Sequence, residues 1–266
     1  MKKEILVVIS VALVVVIVGC GLWLGWYALD SHHQKEAFAG LSQEFVLEQQ
    51  ETGEQPGGAV STEGETSAVT LAVSGPNTPP RHDLAALQAE NSDCVGWLTI
   101  PDTGIDYPIM HTPDEPEQYL RRDFHGNHAS GGTPFLDGRN TAQAEGQNLI
   151  VYGHNMLNGS MFKPLINYLE PNFRQTHQDI YLELGGAQYR YQVLAVLETT
   201  VEAPVYRYTD LSDPAAESDF RSALFQAANL DVIHHTEGYL TLSTCGDWGG
   251  DTRVLVVASL AEEVGE

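Results

Sequence analysis

The chain opens on one hydrophobic pattern and continues on others. Between Ile5 and Leu29 lie 25 residues without a charge, filled by Val, Ile, Leu, Gly and Trp with no amphipathic period. A helix of that length, rising about 1.5 Å per residue, crosses a hydrocarbon layer of roughly 30 Å. Lys2 and Lys3 precede the run and Asp30 follows it. The positive-inside rule then puts the N-terminus in the cytoplasm and the rest of the chain outside. Trp23, Trp26 and Tyr27 stand at the outer end, where amphipathic rings favour the headgroup layer. A cleaved secretory signal is the plainer alternative, and Ile17-Val18-Gly19-Cys20 loosely resembles a lipoprotein processing site. The apolar run continues nine residues past Cys20, which favours a retained single-pass anchor over residues 1–30.

Residues 31–80 read differently. They hold seven Glu against Lys35 alone, and become rich in Gly, Ser, Thr and Pro after Glu51. Phe38, Leu41, Phe45 and Val46 suit a short helix just outside the membrane. The remainder buries too little apolar surface to fold alone, and the segment reads as an extracellular spacer.

From 81 to 266 the pattern is that of a folded domain. Residues 82–90 read as a helix with Leu84 and Leu87 on one face. Strand-like runs follow at 96–100, 107–110, 134–136, 148–152, 180–184, 189–197, 238–244 and 254–260, separated by Gly, Pro and Asp. Eight such strands predict a mainly-β fold, a closed or nearly closed barrel. Gly185-Gly186 reads as a tight hairpin turn. One helix is expected over 161–169. A longer one runs from Asp213-Pro214 to about Ala228, with an N-cap followed by proline at the first helical position.

Charge narrows the function classes. The chain carries 36 Asp and Glu against 13 Lys and Arg, a net charge of −23, with no basic run. Nucleic-acid binding is excluded, because phosphate recognition needs clustered Lys and Arg. Most of the excess, 27 acidic against 10 basic residues, falls from Arg81 onward. It reads as a solvated surface. Three cysteines cannot make a disulfide framework. His125 and His128, three apart in a loop, have no further ligands at metal spacing and read as exposed loop residues. The pair His234-His235 also reads as surface. No metal or organic cofactor is expected.

Three residues fall at strand ends. Cys245 closes the run Tyr239-Leu240-Thr241-Leu242-Ser243-Thr244, and a Gly-rich loop must follow. A strand held in a sheet fixes a nucleophile well at its exposed end. His154 follows the apolar strand that ends in Tyr152-Gly153, and Arg253 opens the last strand. If the two final strands pair, the guanidinium lies near the thiol. Cys20 and Cys94 read as small buried or membrane hydrophobes. A Cys94–Cys245 disulfide would exclude a catalytic role for Cys245.

Asn148-Leu149-Ile150-Val151-Tyr152-Gly153-His154-Asn155-Met156 resembles the histidine motif of the sortases, and Thr241-Leu242-Ser243-Thr244-Cys245 resembles their cysteine signature. Arg253 matches the family's downstream arginine. Residues 95–109 and Gly132-Thr133-Pro134-Phe135-Leu136-Asp137-Gly138-Arg139-Asn140 are similar specifically to class B sortases. The resemblance implies a sortase-like eight-stranded β-barrel over 81–266 and a cysteine transpeptidase at the outer face of a Gram-positive cell membrane. Cys245, His154 and Arg253 are then its catalytic residues. Its partners are surface proteins bearing a C-terminal sorting motif and a peptidoglycan precursor amine of the lipid II kind. Tyr152, Asn155, Ser243 and Thr244 are candidates for positioning substrate, or simply hold the strand ends. Asp137 is a candidate carboxylate to orient His154, or a turn former with Gly138 and Asn140. A membrane-tethered cysteine peptidase using water, a pilin-polymerising sortase and a non-catalytic wall-binding protein are the alternatives.

Overall fold

A computed structural model describes residues 2–47, 78–228, 236–246 and 250–264. The eight expected strands form: β1 (Cys94–Ile100), β2 (Ile105–Met110), β3 (Phe135–Leu136), β4 (Asn148–Tyr152), β5 (Asp179–Leu184), β6 (Ala187–Thr200), β7 (Tyr239–Cys245) and β8 (Thr252–Val264). They close into a barrel in the order β1-β2-β3-β4-β7-β8-β6-β5. Gly185 and Gly186 both have positive φ, 59° and 88°, and join β5 to β6 with Leu184 opposite Ala187. That is the backbone a two-residue hairpin turn demands.

The barrel wall faces two cores. Along β8, Val256 and Ala258 point into the barrel interior, while Leu255 and Val257 point outward into a second cluster with Phe220 and Leu224. Phe220 and Leu224 belong to the helix over Pro214–Ala228, so that helix covers the outside of β7 and β8. A strand buried on both faces reads as a continuous apolar run. This is why β4 and β7 carry so little alternation. Asp213 caps the helix, accepting from the Ala215 amide at 2.9 Å.

The smaller helices depart from expectation. The first domain helix covers Leu84–Glu90, because Asp83 caps it by accepting from Ala86 N at 2.9 Å. The segment expected as a helix over 161–169 is a 3-10 turn at Lys163–Leu169, followed by a short α-helix at Pro171–Thr176. Pro171 disfavours α geometry at Glu170 and so splits the two. Short 3-10 turns at Gln118–Arg121 and Pro204–Arg207 carry no periodic signal and were not expected.

The helix expected around residues 38–46 is the outer end of a longer one. One helix, α1, runs unbroken from Lys2 to Glu44 and so continues from the apolar run into residues 31–44. Its inner part is apolar all round and meets the length and hydropathy of a membrane span. Its outer part buries Ser31, Gln34, Phe38 and Leu41, with Phe45 just beyond, at alternating spacings of three and four. That is the stripe of a helix packed by one face. Phe38 meets the Tyr107 ring edge-on at 5.2 Å, and Ser42 donates to Asp106 at 2.6 Å. Val46 then bridges to His82, Leu47 N donating to Arg81 O at 2.7 Å and Asp83 N to Phe45 O at 2.7 Å. The chain thus leaves at Leu47 and returns beside the same point. The separation between anchor and barrel is set by α1, not by the length of 48–77. That interval, the His234-His235 pair and the loop tip at 247–249 lie outside the described residues.

Phe38→Ala in the full chain should lower stability by about 3 kcal/mol, as a buried aromatic does, in denaturant titration in detergent. A free spacer would give no change.

Candidate active site

Two strand pairings build the site. β4 and β7 lie parallel, from Asn148 beside Tyr239 to Tyr152 beside Ser243, so both chains emerge at the same rim of the barrel. β7 and β8 lie antiparallel with Cys245 directly opposite Arg253. Directly opposed residues project to the same face of a sheet. Both side chains therefore leave the same face of the sheet, and Gly246 N donating to Thr252 O at 3.0 Å carries the pairing one step further. Arg253 is held by its own turn, donating to Thr252 O at 2.8 Å and Gly250 O at 3.3 Å.

The residues after β4 are fastened to the end of β7. Gly153 N donates to Ser243 O at 3.1 Å, and Thr244 Oγ1 donates to Gly153 O at 2.8 Å. Asn155 Nδ2 donates to the carbonyl of Cys245 at 2.8 Å. His154 sits between these ties. Gly153 admits no side chain, since a Cβ there would fall 2.6 Å from the Phe162 ring.

His154 Nε2 lies 2.8 Å from the carbonyl of Leu120. A carbonyl can only accept, so Nε2 carries the proton and Nδ1 is the nitrogen that gains and loses one. Burial pulls the imidazole below its ordinary value of 6.5; the Leu120 bond opposes that fall and the Arg121 charge adds to it. The ring is therefore neutral at neutral pH. Cys94 is a different kind of cysteine: it is free, fully buried in the core, and its thiol is pushed up to about 12 by burial. Cys245 is also free, so no disulfide ties it to Cys94.

Cys245, His154 and Arg253 line one cleft of about 1040 Å³, together with Tyr152, Ser243 and Thr244. Such a volume exceeds the needs of most small ligands and suits an extended peptide. Asn155 is not on the lining; it acts on the Cys245 backbone instead. Asp137 lines the cleft but does not serve His154. Its carboxylate accepts from Arg139 Nε at 2.9 Å, from the second Arg139 nitrogen at 2.8 Å and from Tyr152 OH at 2.8 Å. Burial alone would raise this carboxyl, but the Arg139 and Tyr152 bonds outweigh it and hold it below the usual range. The cleft wall continues as a chain of polar contacts, Arg139 donating to Tyr206 O and Tyr206 OH meeting Ser243 Oγ at 2.7 Å.

Sequence reasoning missed Leu120, Arg139 and Tyr206. Arg139 lay in a quoted motif without a role, and its spacing of two from Asp137 was the available clue. Leu120 acts through a backbone carbonyl and Tyr206 sits on a 3-10 turn, so neither leaves a pattern. His125 and His128 are exposed, and among the described residues no His, Cys, Asp or Glu cluster could hold a metal ion.

In a histidine NMR titration, His154 should show a midpoint below 6.5, and Asp137→Asn should leave it in place. Because the folded value lies below the unfolded one, His154 opposes folding only as pH drops below 6.5 and through the folded midpoint. His154→Gln should flatten stability in that window and leave it unchanged above.

The sortase domain family model matches residues 98–261. Sortase B of Listeria monocytogenes is 37% identical over 175 residues, covering 64% of this chain and 69% of that protein. Sortase B of Staphylococcus aureus is 30% identical over 188 residues, covering 68% and 75%. Among solved structures, the Staphylococcus aureus sortase B–substrate complex superposes with a TM-score of 0.60 at 28% identity, over 67% of this chain and 84% of that one. Bacillus anthracis sortase B in complex with AAEK1 gives 0.58 at 32% identity, over 66% and 83%. With its barrel, its strand-end cysteine and histidine and these relatives, the chain belongs to the sortase family of cysteine transpeptidases, class B.

Proposed function

We propose that this chain is anchored in the cell membrane by α1 with its N-terminus cytoplasmic. There it cleaves a C-terminal sorting motif of surface proteins and joins the new carboxyl to a peptidoglycan amine. The observation that carries the reading is the opposition of Cys245 and Arg253 across β7 and β8, with His154 fastened alongside by the 153–155 ties. The solved Staphylococcus aureus sortase B–substrate complex supports a substrate-binding role for this fold. A candidate membrane span ahead of the barrel supports the location.

The chemistry runs in two acyl transfers. His154, neutral at rest, first takes the proton of the Cys245 thiol, and the thiolate so formed attacks the scissile carbonyl, forming a C–S bond and a tetrahedral oxyanion. Arg253 donates to that oxyanion, whose charge exists only near the transition state, so a donor fixed beforehand lowers the barrier. Collapse breaks the C–N bond, and protonated His154 gives its proton to the leaving amine. The acceptor amine then attacks the thioester while His154, now neutral, takes the amine's proton. The amide forms, the C–S bond breaks, and the released thiolate takes the proton back from His154, restoring thiol and neutral imidazole. A neutral resting imidazole suits the second half, where a base is needed. Tyr152, Ser243 and Thr244 position the peptide along the wall. Asn155 holds the Cys245 carbonyl and with it the end of β7.

The test is a sorting-peptide library offered to the full chain in detergent, with and without an added amine. Ligated product should rise with amine and a thioester adduct should be trapped by mass spectrometry; Cys245→Ala should show neither. Product that is hydrolysed whatever the amine would replace transpeptidation by peptidase action. Arg253→Ala should reduce kcat by about 10²–10³-fold, the usual loss for an oxyanion donor. Arg253→Lys should not restore it, since the fork of donors is absent.

A further inference from the structure

The outer half of α1 does more than hold the barrel near the membrane. Around His154 the cleft is lined by Gly131, Thr133 and Gly153, which come from two loops, 122–133 and 153–162, each with almost no regular structure of its own. Loops of this kind take their position from what packs behind them. Behind both lies α1.

The first loop is fastened at Asp30, Gln34 and Gly131. Asp30 hydrogen-bonds to the hydroxyl of Ser130 and, at 3.3 Å, to its amide. Gln34 Oε1, buried, accepts from Gly131 N at 3.2 Å. Gly131 lines the cleft, so one residue separates the helix from the site. A Cβ at Gly131 would lie 2.9 Å from Gln34 Oε1 and 3.4 Å from Met161 Cγ, which shows how closely the helix approaches. The next residue, Gly132, has φ 59° and packs on the backbone of Tyr119 and Leu120. The Leu120 carbonyl is the group that holds His154 Nε2.

The second loop is fastened at Lys35 and, through Tyr107, at Phe38. Lys35 Nζ donates to Asn158 O at 2.8 Å. Tyr107, stacked edge-on against Phe38, accepts from Met161 N at 3.2 Å. Met161 is held at φ 55°, an uncommon conformation for a side chain of its size, and bridges back to Asn155. Phe162 N donates to His154 O at 2.8 Å. Both sides of His154 are therefore tied to the same short stretch of helix.

We propose that residues 30–38 of α1 are a positioning element of the active site, with Gln34 and Lys35 setting the loops that orient His154. The membrane anchor and the alignment of the catalytic wall are then one continuous helix, and the bracing begins at Asp30, the first charge beyond the apolar run. The proposal rests on the acid–base reading of His154. A displacement of the order of 1 Å at a catalytic group is enough to cost up to about a hundredfold in rate.

The experiment uses the full chain in detergent. Gln34→Ala/Lys35→Ala should lower kcat by about ten- to a hundredfold with KM nearly constant and the melting temperature close to that of the parent. The conservative pair Gln34→Glu/Lys35→Arg keeps an acceptor and a donor and should restore kcat. The second readout is the His154 titration, which needs no substrate. The charge acting on His154 is that of Arg121, unchanged in these variants. Loosening the wall admits water and should move the midpoint up toward 6.5. Should the double variant unfold, Lys35→Met, at an exposed bond, still shifts the His154 resonance if the proposal holds. Unchanged kcat and an unchanged His154 titration in folded Gln34→Ala and Lys35→Met would overturn it. If the parent chain fails to ligate any peptide, the functional reading falls, and the titration alone decides the positioning role.

Discussion

Strands β4 and β7 run parallel and in register, and the site exists because of that pairing. Each strand would by itself end in an exposed loop. Held side by side from Asn148 and Tyr239 to Tyr152 and Ser243, they deliver His154 and Cys245 to the same rim. The side chains secure the register. Thr241 Oγ1 donates to Asn148 Oδ1 at 2.7 Å in a fully buried contact, where a slip would strand both polar groups away from water. A shift of one residue would also turn Leu240 and Leu242 out of the barrel interior. Polar satisfaction and apolar burial thus choose one register, and the antiparallel β7–β8 pair then adds Arg253.

The electrostatics of the cleft follow from the same packing. Burial keeps His154 neutral at rest, while the neighbouring carboxylate is kept ionised by a fork of Arg139 bonds and by Tyr152. Asp137 is thereby committed to the wall. It braces Tyr152, which stands near-parallel to Tyr206 at 6.2 Å between centroids, and Tyr206 in turn meets Ser243. The cleft is braced at Asp137 by the Arg139 ion pair and at Gly131 by α1. These two supports are separate in sequence and in chemistry, and neither was foreseen: Asp137 was weighed as a partner of His154 or as a turn former, not of Arg139.

The strands were legible because each carries a dense apolar run closed by Gly, Pro or Asp, and because burial on two faces makes such runs conspicuous. The placement of Cys245, His154 and Arg253 was legible because each falls at the end of a dense apolar run. The helix at Pro214–Ala228 was legible from its cap. The 3-10 turns were not, since they answer to local proline placement and to contacts with no period. The outer half of α1 was legible as a short helix at Phe38, Leu41 and Phe45, but its continuity with the apolar run and its packing on the barrel were not. Its stripe at Ser31, Gln34, Phe38, Leu41 and Phe45 mixes polar with apolar residues, and only a surface already bearing Gly131 and Tyr107 shows why a serine and a glutamine are buried there.

The sequence by itself determined the membrane-length apolar run, the number and place of the strands, and the position of Cys245, His154 and Arg253 at strand ends. These are properties of near neighbours in the chain: periodicity, capping and the cost of burying charge. Only the tertiary structure decided that Asp137 serves Arg139 and Tyr152, that a backbone carbonyl at Leu120 holds His154, and that Val46 and His82 meet across the interval between them. Each of those joins residues far apart in sequence, through a donor or acceptor whose partner is chosen by the fold, and no local pattern encodes such a choice.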